Sequence, residues 1–426
     1  MQFGSNTRNH LVRLLLTIAA LVLGSSLVTA QQPVVVPIIA SSTGAHVEWQ
    51  AEMFDAFHAA HPDIRIELLE APGGAVQRML TLLAAGVPPG LSFNDPTILM
   101  DWAKKGIVED LAPYLARSEV LNLDWYAPAF DIFRMGDAVY GVPTDLQIGG
   151  VFYNKLLFDL AGLAYPTERW TYADLLENAK KFLELTPDGK PLRHGFKLPT
   201  NRNWVPIVWA HGGDFFDDWT NPTQFTGRTP QTLAGLEYLH ELVASQAVQD
   251  RTTHASVAAG PAFMQQRIAM VLSNTITLAS FTQIQDFEWD VIPLPTGPDG
   301  NRVPYMNAIG WFLFKDFEHK EAAWKVLEFL NSYEAQLRKV EITGNVPASM
   351  ELIRTKWMER WDNLDSRLLL LTDLSQGRSP QTLSSELWPF VERDALAAIW
   401  GDLPVPSAIE EIDRLVTNYL KGSTTP

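Results

Sequence analysis

From Pro33 onward the chain alternates short apolar runs with stretches whose apolar residues recur at helical spacing. Val34–Ile39 reads as a strand, and Pro37 argues against a central place in the sheet because proline cannot donate to a ladder. The loop Ala40-Ser41-Ser42-Thr43-Gly44 leads into a helix carrying apolar Val47, Ala51, Phe54 and Phe57, which Pro62 ends. Ile64, Ile66 and Leu68 alternate with polar residues as a second strand. Val76, Met79, Leu80 and Leu83 then fall at i, i+3, i+4 and i+7 as a second helix. Gly90–Phe93 is a third strand, with Asn94-Asp95-Pro96 at its carboxyl end. This βαβαβ order predicts a parallel sheet with helices on its faces. Open sheets of that kind bind ligands beyond the carboxyl ends of their strands, where Ser41–Thr43 and Asn94–Asp95 lie.

A second α/β region begins near Asp145. Gly149–Tyr153 is a strand, and Asn154 starts a helix through Leu160. Thr171-Tyr172-Ala173-Asp174 is a capping-box-like start for a helix with Tyr172, Leu175, Leu176, Ala179, Phe182 and Leu183 on one face. Thr229-Pro230 opens another helix, the proline sitting where no amide donor is needed. Ala269–Leu272 and Trp289–Ile292 are later strands. A helix at 320–330 and further helices after Trp357 complete the α/β pattern, with no fixed-period repeat.

Composition narrows the function. With 426 residues and 46% hydrophobic content, the chain has material for two or three domains. It carries 33 Lys plus Arg against 49 Asp plus Glu, a balance that repels phosphate backbones and excludes a nucleic-acid partner. Residues 1–30 place Arg8 and Arg13 before an apolar run, Leu14–Leu23, and end in Val28-Thr29-Ala30. This pattern predicts a signal peptide cleaved before Gln31, too short in its apolar core to remain as a spanning helix. The mature chain then holds 31 basic and 49 acidic residues, net −18, and is exported to the periplasm or another extracytoplasmic space. The absence of cysteine excludes disulfides, Cys-ligated metals, thiol nucleophiles and the lipid anchor of bacterial lipoproteins.

Catalytic signatures are missing: there is no P-loop, no dinucleotide fingerprint, no nucleophile elbow and no zincin motif. His58 and His61 have no companion Glu at zincin spacing, so no metal site and no cofactor are expected. A pair of carboxylates among the 49 acids could still serve an exported glycoside hydrolase, and that alternative stays open. The 14 tryptophans are the positive clue. Trp204 and Trp209 flank a polar segment, Thr200–Trp204, before His211-Gly212-Gly213-Asp214; Trp311 and Trp388 lie later. Indole faces suit the C–H faces of sugar rings, while Asp and Asn bond hydroxyls in the ring plane. Trp49, Trp102 and Trp324 lie on amphipathic helices and read as core.

Several segments in order resemble the family 1 extracellular solute-binding proteins of ABC importers, the group that includes maltose-binding protein. They are Phe54–Ile66, Tyr140-Gly-Val-Pro-Thr-Asp145, Val151-Phe-Tyr-Asn-Lys155, Phe158-Asp-Leu-Ala-Gly162, Thr167–Thr171, Gly212-Gly213, Ile268–Val271, Trp289–Pro295, Ala322–Leu330, Tyr333–Gln336 and Thr343-Gly-Asn-Val-Pro347. The resemblance covers roughly Val34–Leu420. It implies a periplasmic-binding-protein type II fold, two α/β lobes each built on a mainly parallel sheet flanked by helices. The lobes would be 33–143 plus 297–343, and 147–293 plus 348–420. Three crossings are implied near Pro143–Gln147, Leu294–Gly297 and Thr343–Val346. A carbohydrate would bind between the lobes by hinge closure, and the monomeric closed form would dock on membrane permease subunits.

The same resemblance implies the contact residues. Ser42, Thr43, Asn94 and Asp95 would serve the first lobe, and Asp145 and Gln147 the crossing. Trp204 would be an aromatic platform before the Gly212-Gly213 pair, and Asn274 and Thr275 would be contacts following Ser273. Asn307 and Trp311 would come from the returning segment, and Arg378 from a late loop. Where many sugar binders carry Gly-Pro-Trp this chain reads Asn274-Thr275-Ile276, which points away from a maltodextrin. A glycerol-phosphate or polyol ligand, held by Arg202 and Arg378, is the alternative within the family.

Overall fold

The computed structural model describes residues 32–422, apart from 41–43, 70, 72–73, 122–126, 200, 257, 362–363, 368 and 372–373. The expected signal peptide, and Ser42 and Thr43, therefore lie outside the described residues. The first lobe opens with β1 (Val34–Ala40), α1 (Ala45–Ala60), β2 (Ile64–Leu68), α2 (Ala75–Ala84), β3 (Leu91–Asn94) and α3 (Pro96–Lys104). The order and type match the sequence pattern. β1 lies between β2 and β3 and pairs with both in parallel.

Two expectations for this segment need correction. Pro37 sits in that central strand. Its carbonyl accepts from Gly90 N, so its nitrogen faces β3 one residue before that ladder begins at Ile38–Leu91, and no bond is lost. The buried face of α1 is Trp49, Gln50, Met53 and Phe57, whereas Val47 is exposed. The helix is turned so that Trp49 Nε1 donates to Ala335 O at 2.9 Å, a bond that simple apolar spacing does not anticipate.

The chain then enters β4 (Val142–Asn154), a 13-residue strand buried along its length. Gly149 and Gly150 allow neighbours to close in at its middle, since a Cβ on either would come within 2.7 Å of Tyr305 or Val291 atoms. Beyond it come α4 (Tyr172–Lys181), β5 (Pro191–Lys197), α5 (Val205–Ala210), α6 (Pro230–Ala244), α7 (Arg251–Ser256), α8 (Ala259–Met264), β6 (Ile268–Asn274) and β7 (Trp289–Pro293). Thr171 and Asp174 form the reciprocal capping box read from the sequence, and Thr229 caps α6 ahead of Pro230. β8 (Met306–Leu313), α9 (Lys320–Leu330), α10 (Tyr333–Thr343), β9 (Val346–Pro347), α11 (Trp388–Ile399) and α12 (Val405–Leu420) follow.

β4 joins the sheet into one path, β2-β1-β3-β8-β4-β6-β5. Parallel pairing holds within β2-β1-β3 and within β6-β5; the partners of β4 are antiparallel because each returns from the opposite direction. The first half of β4, to Ile148, pairs with β8, and the second half, from Gly149, pairs with β6. One core cluster of Val151, Phe196, Trp204, Leu239 and Ile412 packs on one side of the second half. The larger cluster runs from Val36 and Trp49 through Leu146 to Trp357 and Phe281. The molecule has the mixed α/β, two-lobed architecture expected from the sequence. Among the described residues no helix is long and apolar enough to cross a membrane.

Candidate functional site

The strand ends that meet at the middle of β4 bring polar side chains from distant parts of the chain together. Gln147 Oε1 accepts from Asn307 Nδ2 at 3.3 Å and from Asn274 Nδ2 at 3.4 Å. Asn307 Oδ1 in turn accepts from Ser379 Oγ at 2.9 Å. Gln147, Asn274 and Asn307 lie on β4, β6 and β8, so three strands contribute to one amide cluster. Thr97 Oγ1 donates to Gln381 Oε1 at 3.2 Å, joining the start of α3 to the same segment that carries Ser379.

The expected contacts at the carboxyl end of β3 are only partly free. Asp95 Oδ1 accepts from Thr97 N at 2.8 Å and so caps α3, with Pro96 as the first helical residue. Asn94 Oδ1 accepts from Asp95 N, and its Nδ2 is buried with no partner among the described residues. Thr275 serves β4 in this structure, accepting from Ile148 N at 3.1 Å and donating to Leu146 O at 3.3 Å.

Asp145 also has a protein partner. It is 1% exposed, and its carboxylate lies 2.7 Å from Lys339 Nζ and 3.7 Å from His46 Nε2. The contact with Lys339 is an ion pair without the alignment of a hydrogen bond. The ammonium group also sits 4.6 Å from the Trp49 ring and 5.0 Å from the Phe93 ring. Burial holds the Lys339 amine below its ordinary range against the pull of Asp145. Burial likewise holds the His46 imidazole down, against Asp145 and with Lys339. Asn345 Nδ2 reaches His46 Nε2 at 2.8 Å, so the cluster spans α1, β4, α10 and the turn before β9. Sequence reading missed Lys339. Its signal is a lysine within the stripe Ala335, Gln336, Lys339, Val340 and Thr343 on the buried face of α10.

The tryptophans are packed. Trp204 and Trp311 are each 0% exposed, which corrects the expectation of an open aromatic platform: no ring face is free in this structure. Trp204 meets Phe215 edge-on at 5.9 Å and Trp388 at 5.7 Å, while Trp311 lies 5.0 Å from Phe93. Arg202 is buried over Trp388 and donates to Pro380 O and Leu383 O at 3.1 and 2.6 Å. Arg378 pairs with Asp214 at 2.7 Å and lies 4.0 Å from the Trp209 ring. Asp214 also accepts from the indoles of Trp209 and Trp219. Both arginines are therefore fastened within the half of the molecule that follows β4.

A cavity of about 400 Å³ lies at the ends of β5 and β6. Lys197, Asn203, His254 and Ser273 are among its lining residues. Lys197, another residue that sequence reading passed over, donates to Gln249 Oε1 at 3.1 Å and to His254 O at 2.7 Å. Its placement at the last residue of a strand, before Leu198-Pro199, is the one signal the sequence offers.

Comparison with known proteins agrees with this architecture. The sequence pattern described as bacterial extracellular solute-binding protein matches residues 40–337. An ABC substrate-binding protein from Listeria monocytogenes, solved in complex with cycloalternan, superposes with a TM-score of 0.79 at 22% identity, over 92% of this chain and 100% of that one. The sugar-binding protein MalE of Xanthomonas citri superposes with a TM-score of 0.76 at 20% identity, over 91% and 98%. An arabinooligosaccharide-binding protein of Halalkalibacterium halodurans is 24% identical over 245 residues, 55% of this chain and 51% of its own.

Proposed function

Because this chain belongs to the bacterial extracellular solute-binding proteins, we propose that it is the extracytoplasmic receptor of an ABC importer and binds a carbohydrate between two lobes. The observation that carries the reading is the convergence on Gln147 of amide and hydroxyl side chains from β4, β6, β8 and the 379–381 segment. Such groups both donate and accept, as neutral polyhydroxylated ligands require. The sugar ligands named for the Listeria protein and the Halalkalibacterium relative support the same class.

The lobes are residues 33–143 plus 297–343, and 147–293 plus 348–420, hinged where β4, the segment after β7 and the turn before β9 cross. Ligand contacts come from the Ser42–Thr43 loop, Asn94, Asp95 Oδ2, Gln147, Asn274 and Asn307. Asp145, Thr275 and Arg378 position the surrounding segments, and Trp204 and Trp311 support the walls. Closure requires a ligand with differential affinity for the closed form, which contacts from both lobes provide. Periplasmic binding proteins are a standard example of such hinge closure. The receptor acts as a monomer, takes no part in bond breaking and hands its ligand to the permease.

Thermal shift and calorimetry on the mature chain, with a panel of sugars, polyols and glycerol-3-phosphate, test this reading. A saturable shift with a sugar, recovered unchanged, is the expected result. Recovery of hydrolysed sugar would return the glycoside-hydrolase alternative, and a shift with glycerol-3-phosphate alone would favour the other ligand class.

A further inference from the structure

We infer that the half of the cleft built on β5 and β6 takes an acidic sugar, whose carboxylate is received by Lys197. The inference rests on the receptor reading above and names its substrate class. It begins from an imbalance of charge. Lys197 is 2% exposed, yet among the described residues no carboxylate lies within ion-pair distance of its ammonium group. Its two acceptors are neutral, the amide oxygen of Gln249 and the backbone carbonyl of His254. One of its three N–H donors has no acceptor among the described residues. The other two deeply buried side-chain cations differ. Lys339 has Asp145, and Arg202 lies in the field of Asp95 and Asp101. A buried charge without a counter-charge is costly unless something brings one.

The location supplies the rest. Lys197 is the last residue of β5, and Ser273 is next to last in β6, so the 400 Å³ cavity that both line opens where ligands of such sheets bind. Asn203 Oδ1 and His254 Nδ1, from the same lining, are buried with no hydrogen-bond partner among the described residues. A sugar hydroxyl can donate to the first or bond the second, while its ring carboxylate meets the ammonium group. Carboxylate fits better than phosphate. One ammonium balances one negative charge, whereas a phosphate monoester carries about −1.5 to −2 at neutral pH. His254 adds no second charge there, because burial and the neighbouring Lys197 push its pKa down to about 4.

The test compares glucuronate, galacturonate and mannuronate, as monomers and linked dimers, with the corresponding neutral hexoses and with glycerol-3-phosphate. Binding to the full mature chain is measured by calorimetry. At pH 7 a hexuronate should bind about tenfold or more tighter than its neutral counterpart, and Lys197→Met should collapse that ratio toward one. A second measurement needs no variant. The Lys197 pKa, pushed down to about 8 by burial, predicts that hexuronate affinity falls as the amine loses its proton above pH 8, while affinity for a neutral sugar stays flat. The imidazoles facing this amine, His254 and His194, both titrate below their ordinary value and are neutral throughout that range. Equal affinity for acid and neutral sugars, or a preference that survives Lys197→Met, overturns the inference and leaves the sugar receptor standing. Preference for glycerol-3-phosphate overturns the carboxylate assignment. The absence of any sugar response at all counts against the receptor reading itself.

Discussion

Lys339 and Asp145 form the most consequential residue pair outside the candidate contacts. Both are almost wholly removed from water, so each depends on the other for a counter-charge. Replacing Lys339 by Met should lower the free energy of unfolding by about 3–5 kcal/mol, because it strands the Asp145 carboxylate. The double change Lys339→Met with Asp145→Leu should recover much of that loss in urea unfolding, giving a large positive coupling in a double-mutant cycle. Additive losses, with the double variant losing the sum of the two single losses, would show that the pair contributes little beyond packing. Histidine protonation sets a second residue-scale expectation. His46, His194, His211 and His254 are all held below their ordinary pKa, chiefly by burial. Below about pH 6.5 the unfolded chain therefore binds more protons than the folded one, and stability falls as pH falls. For His254 the loss continues down to about pH 4, where the folded state also takes up its proton. Urea midpoints measured from pH 7 to 4 should show this decline, and His254→Gln should make it shallower. A flat profile would contradict it.

At the scale of elements, what the sequence revealed and what it concealed separate cleanly by the range of the interaction involved. β1 to α3, the Thr171 capping box and the Thr229-Pro230 start were legible because periodicity and caps are local properties. The rotation of α1 was not, since it is set by a bond from Trp49 to Ala335, 286 residues away. The amide cluster was partly legible: Gln147, Asn274 and Asn307 could each be named, but not their common meeting point. Trp204 misled for a related reason, since its neighbour Trp388 arrives from a late segment and closes over the ring. Asp95 gives the element-scale test because its two oxygens have different duties. Asp95→Ala removes the cap of α3 and should cost about 1 kcal/mol of stability, whereas Asp95→Ser keeps a capping oxygen and should be nearly neutral. Both variants lose Oδ2, the oxygen that does not cap α3, and should bind the sugar more weakly. Unchanged affinity in Asp95→Ser would confine Asp95 to capping.

For the whole molecule, the decisive contact is the one between α3 and the segment 380–386. Asp101, buried on α3, accepts from the backbone N–H and the hydroxyl of Ser385. Lys105 reaches Glu386 at 2.8 Å, and Thr97 reaches Gln381. Arg202 holds the far side of this segment through Pro380 O and Leu383 O, and Leu383 and Leu387 belong to the core cluster of the second lobe. The contact therefore ties one proposed lobe to the other beside the candidate cleft. Lys105 and Glu386 are exposed, so their pair adds little; the hydrogen bonds at Asp101 carry most of the hold. Asp101→Ala should then favour an open form. In small-angle scattering the unliganded variant should have a larger radius of gyration than the parent chain, and saturating sugar should bring the two together. Ligand affinity should fall by the same free energy that closure now costs, because opening and binding share one equilibrium. A variant with the parent's radius and affinity would mean that α3 and 380–386 move as one body, placing the hinge elsewhere.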